Sequence, residues 1–589
     1  MQGMNSFIKN YTGPNPFKDH QARTFDNDKL VKEFYPTSFF WSLFNDQHEI
    51  LVGRRGSGKT ILLKMMRYSL LKQIDDDRAK KIISEKKYIS IFAPTNLEFL
   101  GSFNHQEVPD RDKLLFFQFA FNCLLSRAFI YEINSVISEK KDIVSMGIKS
   151  KTISKIIASI WFPKIEESEI NQIEDLDREI INIYENTEII SGFKNVPKVF
   201  KSTICRPIQA VSPLIFNQLG FKKEPTWLVC IDEAEFLTPE LQRCINSLFR
   251  ADSKGIVIKM ATMPYHHLTK ETLVNNIFAE SNGNDFSYRK LDMKEDSNDF
   301  ISVTNNLCKT RFMSMQTNNV PNIGTLESFV GMVGSDDLVD YYQAEINKGG
   351  KKSKKLTQEE LLEKIIANLS IDRQQTINNK EKRKEKEKIR KEIYDKFAPI
   401  FFTREMYKIS KKGNAIPGWY AGPKMIRKLS EGNPRQFIRI MNVLFEKARE
   451  TELTPTTQHK VIYNFTKQDC NATNALPIHG PDLYRILTNL SEQLKSKTHD
   501  GHMIYTGNSF KFRKGTINNN PSLIKCLELG IGYLKISVGE ESYINGINES
   551  TQFSLSNCFS AFFWIPLRRG DFPKLTTPFK QQAFKIIGK

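Results

Sequence analysis

Four short apolar runs interrupt a chain whose other hydrophobic positions recur at helical spacing. They are Glu49-Ile50-Leu51-Val52, Tyr88-Ile89-Ser90-Ile91-Phe92, Thr226-Trp227-Leu228-Val229-Cys230-Ile231 and Gly255-Ile256-Val257-Ile258-Lys259-Met260-Ala261. They are too short for helices, and the last two are nearly unbroken, the pattern of strands buried on both faces. A fifth strand is expected at 286–291. Between the first two runs a helix is predicted from Lys59 to about Lys72, a strand–helix–strand beginning that puts the strands in a parallel sheet. From about 94 to 223 the pattern is helical (114–137, 153–161, 173–190) and reads as an insertion into the sheet.

On either side the pattern changes. Residues 1–45 read as an N-terminal arm packing on the core, with a turn at Asn15-Pro16-Phe17 and an aromatic stripe (Phe34, Phe39, Phe40, Trp41, Phe44) divided by Pro36. After Asp292 helices are predicted at 297–312, 325–333, 338–346, 423–429 and 434 to about 450, with a charge-dense insertion at 348–396. The last part, about 475–589, reads as helices at 483–494, 521–529 and 553–563, a hairpin turning at Gly507-Asn508 and a strand at 533–536, the makings of a winged-helix-like domain. The expected fold is α/β: a parallel-sheet core at 46–295, a helical domain at 296–450, and an end domain at 475–589.

Composition narrows the class without naming a function. Hydrophobic residues make up 40% and charged residues 26% of 589, ordinary for a soluble globular protein. The most apolar piece, 116–130, is broken by Gln118, Asn122, Ser126 and Arg127, so no membrane span is expected, and the polar opening Met1-Gln2-Gly3 predicts no signal peptide. Eight scattered cysteines without a CxxC pair argue against disulfides or zinc and for a cytoplasmic protein. A formal charge of +18 permits polyanion binding.

The chemistry lies at the strand ends. Gly53-Arg54-Arg55-Gly56-Ser57-Gly58-Lys59-Thr60 joins the first strand to the first helix, the setting of a P-loop. Its glycines let the backbone wrap an anion, Lys59 is placed for the β/γ-phosphates, and the Thr60 hydroxyl for Mg²⁺. The run 226–231 ends in Asp232-Glu233-Ala234-Glu235, a Walker B pattern. It makes Asp232 the Mg²⁺ residue and Glu233 the base for the attacking water, with Glu235 a lesser acid facing solvent. Thr262 ends the next strand, where a hydroxyl reaches a γ-phosphate or water. In Ser430-Glu431-Gly432-Asn433-Pro434-Arg435, Gly432 stops one helix, and Asn433 caps and Pro434 opens the next. Arg435 is thereby fixed in a first helical turn, directed outward. A cation opposes the helix dipole there, which calls for an anion.

In this order the motifs resemble those of AAA+ ATPases of the origin-recognition type and the bacterial ATPases related to them and to STAND signalling ATPases. The resemblance implies a P-loop AAA+-like core, a helical lid and a winged-helix end over most of the chain. Lys59 and Thr60 would be Walker A, Asp232 and Glu233 Walker B, Thr262 sensor 1 and Arg435 sensor 2, with ATP and Mg²⁺ as cofactors. The closing run 553–569 also looks like the C-terminal end of the bacterial relatives. Two features depart from the pattern: a long gap between the Walker motifs, and no arginine in 268–286, where a trans-acting finger belongs; Arg250 and Arg289 are the nearest candidates.

A nucleotide-controlled switch fits these features better than a finger-driven ring. The resemblance extends to anti-phage defence and to a protein effector or a homo-oligomer as partner. The alternative is a DNA-binding initiator or loader using 475–589, with Lys511, Arg513, Lys514, Arg568 and Arg569 as its basic face. A third reading, a superfamily-two helicase, lacks the QxxGRxxR segment of a second core.

Overall fold

The apolar runs form five parallel strands: β1 (Glu49–Val52), β2 (Tyr88–Pro94), β3 (Thr226–Asp232), β4 (Ile256–Thr262) and β5 (Ser287–Lys290). Their order is β2-β3-β4-β1-β5 and every pairing is parallel. The computed structural model describes residues 8–9, 11–19, 25–96, 98–101, 110–138, 143–165, 169–186, 196–251, 255–281, 283–315, 325–331, 357–369, 374, 383–412, 418–503 and 507–567. These residues fall into two compact units. The sheet unit is Ala22–Gly53 with Gly58–Leu291; the helical unit is Met1–Gln21, Arg54–Ser57 and Asp292–Lys589.

In the sheet unit, β1 lies between β4 and β5, while the chain leaving it crosses to the far edge at β2. The carboxyl ends of the strands at such a reversal are where open α/β sheets bind ligands. The Lys259 ammonium is tolerated inside this buried sheet because it is paired. Lys259 Nζ meets Glu49 Oε2 at 2.8 Å, Asn45 Oδ1 at 2.9 Å and Gln47 O at 2.8 Å.

The helices of the insertion are Asp110–Ile137, Ile143–Trp161, Ile173–Glu185 and Arg206–Leu219. Asp112–Ile137 is long and apolar enough by length and composition to cross a membrane, although its most apolar stretch is mostly buried inside the protein. Of its polar positions, Asn122 and Ser126 are buried, Gln118 is half-buried and Arg127 is exposed. Asn122 is fully buried, bonding Phe200 O at 3.1 Å, Ser202 O at 3.2 Å and Cys205 N at 2.9 Å. The helix packs against β2 and the helices Ile173–Glu185 and Arg206–Leu219, as a core helix does.

The N-terminal arm does not pack as one piece. Helices Asn27–Glu33 and Ser38–Ser42, separated by Pro36, bury Leu30, Phe40 and Leu43 with Leu62, Leu63 and Met66 in the sheet unit. Phe17 instead lies in the core of the helical unit, 5.3 Å from the Phe312 ring, and Asn15 Nδ2 donates to Asn442 Oδ1 at 2.8 Å. The mostly polar stretch 18–24 separates the two apolar groups.

The helical unit is built on Asn298–Met313, Leu326–Val330, Arg383–Lys412, Pro423–Ser430, Pro434–Glu450, Pro455–Asn471 and Gly480–His499. Arg383–Lys412 is half what the charge pattern predicts and half core. Its first turns are polar, but Phe397, Ile400, Phe402 and Met406 are buried. The helix predicted at 338–346 lies outside the described residues, as do Arg568 and Arg569.

Near the C-terminus, β6 (Ser509–Phe510), β7 (Ile536–Val538) and β8 (Phe553–Leu555) form an antiparallel sheet in the order β6-β8-β7. β6 pairs with β8, while the first strand of the hairpin expected at Gly507-Asn508 lies largely in 504–506, outside the described residues. One expectation is corrected. Phe553 begins a strand, not a helix: its ring stacks on Phe510 at 5.3 Å, and the helix Asn557–Phe563 starts only after Ser556 caps it.

Candidate functional site

The P-loop is divided between the units, Gly53 and Gly58–Thr60 belonging to one and Arg54–Ser57 to the other. In the sheet unit, Gly53 N donates to Thr262 O at 3.1 Å, tying the loop's entry to the end of β4. Gly58 has φ +96°, and a Cβ there would meet nothing closer than Ile61 Cγ2 at 3.7 Å. Backbone conformation, rather than crowding, requires glycine. The helix Lys59–Met65 follows, and the buried Lys59 reaches back so that Nζ donates to Gly53 O at 2.8 Å.

β3 delivers Asp232 to the same end of the sheet. Its backbone carbonyl accepts from both Thr95 N and Thr95 Oγ1, each at 2.9 Å, so the end of β2 fixes where its carboxylate stands. Sequence reasoning missed Thr95; its only signal is a hydroxyl just past the second strand. The Asp232 side chain is buried and takes a hydrogen bond from Thr60, while Oδ1 has no hydrogen-bond partner. Thr262 Oγ1, also buried and without a hydrogen-bond partner, ends the adjacent strand β4. Glu233 leaves β3 with φ 59°, a left-handed conformation that costs about 1–3 kcal/mol for a non-glycine residue and is kept where the surroundings impose it. Glu235, expected to face solvent, is half-buried, and its Oε2 is buried without a hydrogen-bond partner.

Burial pushes the Asp232 carboxyl up to about 6, against the pull of Thr60 and Lys59. The unfolded carboxyl titrates near its ordinary value of about 4. Ionisation therefore costs folding stability from about pH 4 upward, with the full cost reached above about pH 6. At about 1.4 kcal/mol per unit the full cost is about 3 kcal/mol. Asp232→Asn is expected to melt at higher temperature than the natural protein at pH 8 without nucleotide or metal. The gain shrinks below pH 6 and vanishes by about pH 4; thermal denaturation across pH checks it.

In the helical unit, Pro423–Ser430 ends with Glu431 at φ 52° and Gly432 at φ 68°, and a Cβ on Gly432 would lie 1.9 Å from Met293 O. Asn433 Oδ1 accepts from Gln436 N at 3.1 Å, and Pro434 opens the helix Pro434–Glu450. Arg435 is half-buried rather than directed outward. Its N donates to Gly56 O at 3.4 Å, and Asn433 Nδ2 donates to Arg55 O at 3.1 Å. Gly56 has φ +86°, and a Cβ there would lie 2.6 Å from Arg435 Cβ. The start of the helix Pro434–Glu450 thus abuts the turn at Gly56 within this unit. Arg54 N donates to Asp292 Oδ1 at 3.1 Å and Arg55 N to Gly532 O at 2.9 Å, so both are held by protein acceptors. Ser57 is buried, its Oγ without a hydrogen-bond partner.

The two arginines nearest a finger position are engaged at home. Arg250 NH1 bonds Asp285 Oδ2 and Phe278 O, both at 3.1 Å; Arg289 bonds Glu49 at 2.9 Å and Ser42 Oγ at 2.8 Å.

Buried oxygens on Asp232 and Thr262, beside Thr60 and Lys59, fit a hydrated divalent cation and a phosphate: oxygen donors suit Mg²⁺ and a lysine suits phosphate. The sequence model of the ORC-CDC6-like family matches residues 15–574. The chain belongs to the ORC-CDC6-like family. The α/β core with helical domains is accordingly that of an AAA+ ATPase of the origin-recognition type. No curated protein matches the chain. Among solved structures it is similar to the Aeropyrum pernix ORC1 protein in complex with DNA, at 11% identity over 91% of each chain. The TM-score of 0.20 is too low for that likeness to carry any conclusion.

Proposed function

We propose that this ORC-CDC6-like protein is an ATP-binding and ATP-hydrolysing switch, in which the nucleotide controls the helical lid and the C-terminal segments. The observation that carries the reading is the pair of buried oxygens without hydrogen-bond partners, Asp232 Oδ1 and Thr262 Oγ1, at the ends of adjacent strands with Lys59 and Thr60 beside them. Lys59, released from Gly53 O, binds the β/γ-phosphates. Thr60 and Asp232 would hold Mg²⁺, which when bound neutralises phosphate charge. Glu233 orients the attacking water and takes its proton, and Thr262 donates its hydroxyl to the γ-phosphate or that water. Arg435, packed on the turn at Gly56, answers to the phosphate from the lid.

A second reading, DNA binding through the C-terminal segment, is favoured by the exposed Arg513 and Lys514 just after β6. One assay addresses both. Arg435→Ala in the full chain is expected to bind Mg²⁺-ATP within about tenfold of the natural protein but to hydrolyse it about 10-fold or more slowly, as for loss of a charge used late in the reaction. Natural turnover in Arg435→Ala would remove Arg435 from the mechanism. A change in turnover on adding duplex DNA at low salt supports the second reading, and no change opposes it.

A further inference from the structure

Arg54 lies in the Gly53–Thr60 loop, yet its side chain is spent on protein partners. It is buried in the helical unit between two carboxylates. Its Nε lies 2.9 Å from Asp292 Oδ2, and NH1 lies 3.3 Å from Glu431 Oε2 and 3.0 Å from Ser537 Oγ. NH2 donates to Glu431 O at 3.1 Å. Asp292 also accepts the main-chain N–H of Arg54, so one carboxylate grips both the P-loop backbone and its side chain.

Each acceptor is tied in turn to the C-terminal segment. Tyr543 donates its hydroxyl to Asp292 Oδ2 at 2.8 Å from the helix Glu540–Asn545. Ser537, on β7, donates to Glu431 Oε2 at 3.1 Å, and Asn557 N donates to Glu431 Oε1. Glu431 is one residue from Gly432, where the lid helix ends before Arg435. Arg55 adds a second tie, its N donating to Gly532 O at 2.9 Å and its NH1 to the Tyr533 hydroxyl at 3.1 Å. Burial works against the Arg54 charge, but Asp292 and Glu431 outweigh it and hold the guanidinium above its ordinary range.

A network of this kind in a low-dielectric interior has few intermediate arrangements. If the P-loop turn shifts, Arg54 must carry Asp292 and Glu431 along or break bonds that no water replaces. We propose that Arg54 is a positioning residue that couples P-loop conformation to the C-terminal segment 533–545, so that nucleotide at the loop and conformation at that segment are linked. This rests on the ATP-binding reading above. Linkage is reciprocal: if nucleotide alters the segment, changes in the segment alter nucleotide affinity by the same factor.

The test uses the full chain, a non-hydrolysed ATP analogue with Mg²⁺, and hydrogen exchange of 533–545, in the natural protein, Arg54→Lys and Tyr543→Phe. In the natural protein the analogue is expected to change exchange in that segment. Arg54→Lys keeps charge and the phosphate-binding Lys59 but loses the fork; it is expected to bind the analogue and to lose the exchange response. Tyr543→Phe, which removes one hydroxyl and keeps the ring, is expected to change analogue affinity about fivefold or more. A natural exchange response in Arg54→Lys, or natural affinity in Tyr543→Phe, overturns the proposal. If Arg54→Lys does not fold, Tyr543→Phe decides alone. If the natural protein binds no analogue, the ATP-binding reading fails and takes the coupling with it, an outcome distinct from binding without a response.

Discussion

Lys59→Ala is expected to abolish ATP binding. Lys59 Nζ lies 2.8 Å from Gly53 O, a bond between the two ends of the same loop. On the proposed reading, ATP binding trades this carbonyl for charged phosphate oxygens. A hydrogen bond between charged groups contributes about 1.5–3 kcal/mol, and Lys59 is placed to make two, so alanine should weaken binding by about 100-fold or more. The loss in the free protein is smaller, about 1 kcal/mol for one neutral acceptor left without its donor. The variant should thus fold and show no nucleotide-induced rise in melting temperature, where the natural protein shows one.

Glu233→Gln is expected to keep ATP binding and slow hydrolysis by about 100-fold to 10,000-fold, the usual range for losing a general base. Glutamine preserves the length of the side chain and the backbone at φ 59°, so the change removes proton affinity and little else. The competing assignment is Glu235, whose buried Oε2 also lacks a hydrogen-bond partner. The two are separated by comparing single substitutions in steady-state turnover. If Glu235→Gln slows hydrolysis as strongly and Glu233→Gln does not, the base is Glu235.

The sheet was legible because its strands are buried on both faces and so read as continuous apolar runs, ending at residues whose chemistry is specific. β6, β7 and β8 were not, being two or three residues long, below the length at which alternation is a signal. Phe553–Leu555 runs directly into the helix Asn557–Phe563, and the aromatic stripe of that helix masks the strand before it. The cap at Asn433 was legible as a local rule, but the position of Arg435 against Gly56 was not, because the two are far apart in sequence. Arg54 shows the same limit. A P-loop pattern identifies it as a loop residue, and nothing within the motif points to Asp292, Glu431 or Ser537 as its partners.

The long apolar helix shows a different limit. In Asp112–Ile137 the polar residues divide: Asn122 is spent on the carbonyls of Phe200 and Ser202, while Arg127 is exposed and bonds Asp177. Which way a polar side chain turns depends on what packs against it, and a single sequence does not contain that.

An ATP-hydrolysing site built on Lys59, Asp232 and Glu233 is checked by measuring ATP binding and phosphate release on the same samples of the full chain with Mg²⁺, in the natural protein, Glu233→Gln and Lys59→Ala. The expected result is binding with release in the natural protein, binding without release in Glu233→Gln, and neither in Lys59→Ala. Phosphate release by Lys59→Ala at the natural rate would contradict the claim.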